Sequence, residues 1–188
     1  MMARYPQGVK SFAIESVGTV LPSDIEQLAH LLVTCVDGGA SVNFLSPMNP
    51  EVARQWWVNA FENDLATTWV AREHGEIVGC IRLERAPQPN APHRGDVTKL
   101  LVDPAFRGRG IASSLLATLE SWAAACGCWR LVLDTETGSP AEPMYERLGW
   151  TRVGVIPDFA LTPDGRMGST TIFTKRLGDR VSERDGDE

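Results

Sequence analysis

Val97-Thr98-Lys99-Leu100-Leu101-Val102-Asp103-Pro104-Ala105-Phe106-Arg107-Gly108-Arg109-Gly110-Ile111-Ala112 reads as a strand, a short loop and the start of a helix. Val97 to Val102 is apolar and β-branched enough for a buried strand. Pro104 ends it, because proline offers no N–H to a ladder. Beyond the loop, Ile111, Leu115, Leu116, Leu119, Trp122 and Cys126 recur at helical spacing, so a helix begins between Gly108 and Ile111. A helix start leaves its first N–H groups without acceptors and carries partial positive charge. Gly108 and Gly110 let an anion lie against that backbone, and Arg107 and Arg109 add two guanidinium forks suited to phosphate oxygens. The alternative is a plain strand-to-helix turn with solvated arginines; the interleaving of the two residue types weighs against it.

Two familiar phosphate loops do not fit. A Walker loop needs lysine directly after its last glycine, and neither glycine here has one. A dinucleotide fingerprint is closer, with Gly108-x-Gly110-x-x-Ser113 and Asp134 downstream, but its third glycine is missing. Too little chain follows for the repeated units of a doubly wound fold, so a nicotinamide-dependent oxidoreductase is disfavoured.

Outward from this stretch the order of elements is β-α-α-β-β-β-α-β-α-β-β. Ser11 to Val20 is a candidate edge strand. Ser23 or Asp24 can cap a helix carrying Ile25, Leu28, Leu31, Leu32 and Cys35 on one side, and Gly38-Gly39 stops it. A second helix over 50–64 holds Trp56, Trp57 and Phe61, which are either core or a substrate wall. Strands at 67–72 and 77–85 flank the hairpin turn His74-Gly75-Glu76. The proline-rich segment 86–95 is a connection. Trp129 to Leu133 is a short apolar strand, from which Asp134 to Gly138 departs as a loop. Ser139-Pro140-Ala141-Glu142 has the form of a capping box ahead of Met144, Tyr145 and Leu148. Strands at 150–156 and 170–177 follow, joined by a loop over 157–169.

This order predicts an α+β fold of α/β/α layering: a mostly antiparallel sheet with one splayed parallel pair, formed by the strands at 97–102 and 129–133 through a right-handed crossover. Such a pair can open and admit a flat chain between its strands. One domain is expected over 11–177, with a loose segment at 1–10 and a charged, disordered tail at 178–188.

Composition narrows the function classes. The chain has 188 residues, 43% of them hydrophobic, and a formal net charge of −6, which argues against non-specific nucleic-acid binding and makes a local arginine pair more informative. No apolar run is long enough to span a membrane, and the first residues lack a basic-then-apolar leader, so a cytoplasmic protein is expected. Cys35, Cys80, Cys126 and Cys128, with His30, His74 and His93, show no metal-ligand spacing; Cys126 and Cys128 read as buried small residues, and no metal is expected.

Arg107-Gly108-Arg109-Gly110-Ile111-Ala112, preceded by Leu100-x-Val102-x-Pro104, resembles the Gln/Arg-x-x-Gly-x-Gly/Ala loop of the Gcn5-related N-acetyltransferase (GNAT) superfamily. Tyr145-Glu146-Arg147-Leu148-Gly149-Trp150 matches that superfamily's second motif, a short helix with a tyrosine ahead of a Gly-aromatic end. The likeness spans about Ser11 to Leu177. A narrower likeness, to the tabtoxin resistance acetyltransferases, is carried by Gly38-Gly39-Ala40-Ser41-Val42, by Leu133-Asp134-Thr135-Glu136-Thr137-Gly138-Ser139, by Thr151-Arg152-Val153-Gly154 and by Thr162-Pro163-Asp164-Gly165-Arg166.

The resemblance implies acetyl-CoA as co-substrate. Leu100, Leu101, Val102, Arg107, Gly108, Arg109, Gly110, Ile111, Ala112 and Ser113 would hold it, and Tyr145 would serve as general acid toward the departing thiolate. It further implies a small amine as acceptor, such as an amino-acid-like metabolite, antibiotic or β-lactam amino acid toxin, and with that a role in antibiotic resistance; a homodimer is left open. Acyl transfer needs a neutral amine. At pH 7 deprotonating a lysine-like amine costs about 4–5 kcal/mol, and an α-amine about 1–1.5 kcal/mol. Asp96 and Asp134, at opposite ends of the two parallel strands, are the carboxylates best placed to take that proton or hold the ammonium. A non-catalytic acyl-CoA binding or sensing module is the alternative of a different class.

Overall fold

A computed structural model describes residues 11–178. The chain runs β1 (Ala13–Ser16), α1 (Pro22–Asp37), α2 (Pro50–Phe61), β2 (Ala66–Glu73), β3 (Glu76–Arg85), β4 (Arg94–Val102), a 3-10 turn (Pro104–Phe106), α3 (Ile111–Ala125), β5 (Arg130–Glu136), α4 (Glu142–Arg147), β6 (Thr151–Leu161) and β7 (Met167–Arg176). The seven strands form one sheet in the order β1-β2-β3-β4-β5-β7-β6, in which β4–β5 is the parallel pair. The element order and the layering are those expected from the pattern of residues. The segment 1–10 and residues 179–188 of the charged tail lie outside the described residues. Among the described residues, no helix is long and apolar enough to cross a membrane.

Each face of the sheet has its own core. Leu28, Leu32 and Cys35 of α1 and Ala53 and Trp57 of α2 bury against Val70, Cys80 and Leu101. On the other face Ile111, Leu115, Leu119 and Ala123 of α3 and Tyr145 of α4 bury against Ile81, Leu83, Val97, Leu131, Leu133 and Phe173. This separation follows from strand alternation, which sends successive side chains to opposite faces. It also divides the paired tryptophans of α2: Trp57 is fully buried core, and Trp56 reaches Lys99.

Several boundaries differ from expectation, each for a local reason. The cap of α1 is Leu21; Asp24 sits inside the helix, and its carboxylate accepts the Leu21 N–H at 3.2 Å. β4 starts at Arg94, so Gly95 is a strand residue; a Cβ there would meet Leu83 Cδ1 at 2.7 Å and Cys128 Sγ at 2.9 Å. β5 continues to Glu136, which puts Asp134 on a strand. The capping box at Ser139 does not form. The Ser139 hydroxyl is engaged with Thr135 Oγ1 at 3.2 Å, and Glu142 instead accepts the Gly138 N–H at 3.0 Å. The expected loop at 157–169 is mostly hairpin: β6 is the sheet edge, where Pro157 fits a register break without costing a ladder bond. Cys126 is exposed just past α3, whereas Cys128 is buried.

Candidate active site

The sheet opens in the middle. β4 and β5 pair only at Arg94↔Arg130, Gly95↔Leu131 and Asp96↔Val132. Beyond that rung β4 stays with β3 as far as Val102↔Gly79, and β5 stays with β7 as far as Glu136↔Thr170. A cavity of about 740 Å³ occupies the gap. It is lined by Gly38 to Asn43 from the α1 side and by Ile111 to Ser113, Met144 and Tyr145 from the other, so it passes through the sheet.

The start of α3 borders this passage. Gly108 and Gly110 have φ of +75° and +79°, a region in which L side chains are strained, and no heavy atom lies within 4 Å of where their Cβ atoms would be. Gly110 caps α3 without a side-chain hydrogen bond. The first intrahelical bond runs from Ser114 N–H to the Gly110 carbonyl at 3.0 Å, which leaves the N–H groups of Ile111, Ala112 and Ser113 ahead of the ladder. Leu100, Leu101, Val102, Arg107, Gly108, Gly110, Ile111, Ala112 and Ser113 all line the cavity. Arg107 is steadied by donating from Nε to the Val102 carbonyl at 3.3 Å.

Arg109 is placed elsewhere. It grips both carboxylate oxygens of Glu73, at 2.5 and 3.0 Å, donates to Ser11 Oγ at 2.5 Å and lies over Phe106. That bond holds the Glu73 carboxyl below its ordinary range. Arg109 therefore ties the loop to β2 and the start of β1, outside the cavity lining. A different arginine, Arg147 at the end of α4, reaches the lining; nothing in its local sequence singled it out.

Asp134 and Tyr145, the residues expected to move protons, both reach this cavity. Asp134 lines the cavity on the stretch of β5 that has left β4, and its Oδ2 accepts from Thr170 Oγ1 at 3.0 Å. Tyr145 is buried, with ring centroids 5.6 Å from Phe173 and 5.9 Å from Trp150. Burial, with the Asp134 charge adding to it, pushes the Tyr145 hydroxyl well above its ordinary value, so it stays protonated. Glu120 fixes the far end of α4: it accepts from Trp150 Nε1 at 3.0 Å and from Lys175 Nζ at 2.7 Å, and Lys175 also donates to the Leu148 carbonyl at 2.7 Å.

Asp96 sits on the last closed rung, beside the opening and outside the cavity lining. Desolvation raises its carboxyl above the ordinary range; Glu84 and Asp134 act in the same sense, and Arg94 opposes them. Thus the structure brings Asp134 and Tyr145 to one cavity and leaves Asp96 and Arg109 at its margins. Among the described residues no group of three or more His, Cys, Asp or Glu is placed to hold a metal ion.

The acetyltransferase (GNAT) family model matches residues 26–150, from α1 through the Gly149-Trp150 end of the second motif. The chain belongs to this family. A Mycobacterium leprae (strain TN) protein, recorded as uncharacterized protein ML0378, is 30% identical over 148 residues, 76% of this chain and 36% of that protein. The chain thus spans only about a third of that curated relative. Among solved structures, this GNAT chain superposes on a ribosomal-protein-alanine N-acetyltransferase from Brucella melitensis with a TM-score of 0.72 at 22% identity, covering 88% of this chain and 99% of that one. It also superposes on the Salmonella typhimurium yncA protein, solved with its cofactor acetyl-CoA, with a TM-score of 0.73 at 18% identity, covering 94% and 99%. A chain assigned as a phosphinothricin N-acetyltransferase gives 0.75 at 20% identity, covering 90% and 100%. The matched model is that of an acetyltransferase family, and these solved neighbours share its fold.

Proposed function

We propose that this GNAT protein transfers the acetyl group of acetyl-CoA to a primary amine of a small, amino-acid-like molecule, by direct attack in a ternary complex. The observation that carries this reading is the passage through the sheet, which the helix-start N–H groups of Ile111 to Ser113, Asp134 and Tyr145 all border. The diphosphate would rest on the N–H groups of Ile111 to Ser113 beside Arg107, and the pantetheine arm would lie along Leu100 to Val102. A backbone N–H of that strand, freed from β5, would polarise the thioester carbonyl.

Asp134 would take the amine's proton, directly or through water, or hold the ammonium before it reacts. The neutral nitrogen attacks the carbonyl carbon, the C–S bond breaks, and the thiolate leaves. Tyr145, kept protonated by its surroundings, would return a proton to the sulfur. Support for a small acceptor comes from the likeness to tabtoxin resistance acetyltransferases and from the structural neighbour assigned as a phosphinothricin N-acetyltransferase.

A thiol-release assay with acetyl-CoA and a panel of small amines tests the proposal. Release with an amino-acid-like amine is expected. Tight acetyl-CoA binding with no release across the panel would overturn it in favour of an acyl-CoA sensing module.

A further inference from the structure

The two faces of β4 change places at Lys99. Val97 packs in the α3 core and Leu101 in the α1–α2 core, although four residues apart on a strand they should share a face. The register against β3 shifts between Cys80 and Arg82, and Lys99 there has φ of +51°. The extra residue of this bulge puts Thr98 and Lys99 on the same side of the sheet, toward α1 and α2. On that side Lys99 is only 8% exposed, with its Nζ 4.7 Å from the Trp56 ring centroid and 5.7 Å from that of Phe44.

The ammonium has no ion pair among the described residues. Glu84, the acid across the ladder on β3, is bonded to Arg82 at 3.0 Å and to Thr98 at 3.5 Å. Asp134 is bonded to Thr170, and no ion pair joins it to Lys99. Burial lowers the Lys99 pKa, with the Glu84 and Asp134 charges opposing that effect. An unpaired cation with so little exposure is expensive to keep, and the two rings offset only part of that cost. Yet Lys99 lines the cavity, and so does Asp134 across the opening. The face toward α1 and α2 therefore offers one positive and one negative group, on two diverging strands, to whatever enters from that side.

We propose that Lys99 binds the carboxylate of the acceptor while Asp134 meets its amine, so that the substrate class is free amino acids or close analogues that keep both groups. This inference rests on the acetyl-transfer reading above and narrows its acceptor. The bulge is what makes it possible: a regular strand would turn Lys99 into the α3 core.

The test is acetyl transfer to matched pairs, each protein amino acid and phosphinothricin beside its own carboxamide, with wild type, Lys99→Met and Lys99→Arg. Wild type should favour the acids in kcat/KM. Lys99→Met should lose about tenfold to a hundredfold on acids while changing little on carboxamides, the loss expected for a charged hydrogen bond. Lys99→Arg should keep most of the preference. Calorimetric titration with acetyl-CoA checks that both variants are folded and loaded. Equal losses on acids and carboxamides, or wild-type preference for carboxamides, would overturn the role of Lys99 while leaving acetyl transfer to amines standing. Acetyl-CoA binding with no transfer to any member would overturn the acceptor reading, and this inference with it.

Discussion

Arg109 holds Glu73 through both carboxylate oxygens, joining the loop before α3 to the end of β2. The geometry gives this arginine a structural part in shaping the loop, while Arg107 faces the cavity. Arg109→Ala should lower the melting temperature by a few degrees, yet weaken acetyl-CoA binding less than Arg107→Ala does. The sign with pH follows from Glu73. Its carboxyl titrates lower folded than unfolded, so the pair stabilises above the ordinary carboxylate range and loses that effect as the pH falls through the folded value. The gap in melting temperature between wild type and Arg109→Ala should therefore narrow in acid. A gap independent of pH would show that the pair does not act through this charge.

Gly110 has open space around its missing Cβ but a left-handed backbone, so a substitution there is strained and also fills the proposed anion seat. Gly110→Val should weaken acetyl-CoA binding about tenfold or more, measured by calorimetric titration. Unchanged affinity would remove the loop from the coenzyme site.

What could be read from the residues was whatever is encoded locally. The strand, loop and helix around Gly108 carry their own periodicity and punctuation, and a lone parallel pair in an antiparallel sheet already implied an opening. What could not be read depends on distant partners. The fate of Arg109 is decided by Glu73, which the chain brings alongside only through the β2–β3 hairpin. Gly95 looked like a loop residue because its reason, the pressure of Leu83 and Cys128, comes from β3 and the segment after α3. Lys99 is the clearest case: a bulge is a mismatch between two strands, and neither strand alone contains it. A lysine inside an apolar strand was the one local sign available.

Tyr145→Phe removes a hydroxyl and keeps the ring packing against Phe173 and Trp150. Turnover should fall about a hundredfold, in the range for loss of a general acid, with coenzyme affinity nearly unchanged. Because burial raises the hydroxyl's pKa, wild-type turnover should show no alkaline decline from Tyr145 below its ordinary value. Single-turnover rates equal to wild type would exclude it as the acid.

Asp96 and Asp134 separate by what they change, stability for the first and turnover for the second. Asp96 titrates higher folded than unfolded, so its ionised form costs stability at neutral pH, and below the unfolded value that cost is gone. Asp96→Asn should raise the melting temperature at pH 7, with the gain shrinking toward zero in acid, and should alter turnover little because the residue lies outside the cavity lining. Asp134→Asn should instead cut turnover, since its carboxylate stands in the cavity. If Asp96→Asn is the variant that loses turnover, the base is on the closed rung, and a water chain from Asp96 into the passage must carry the proton.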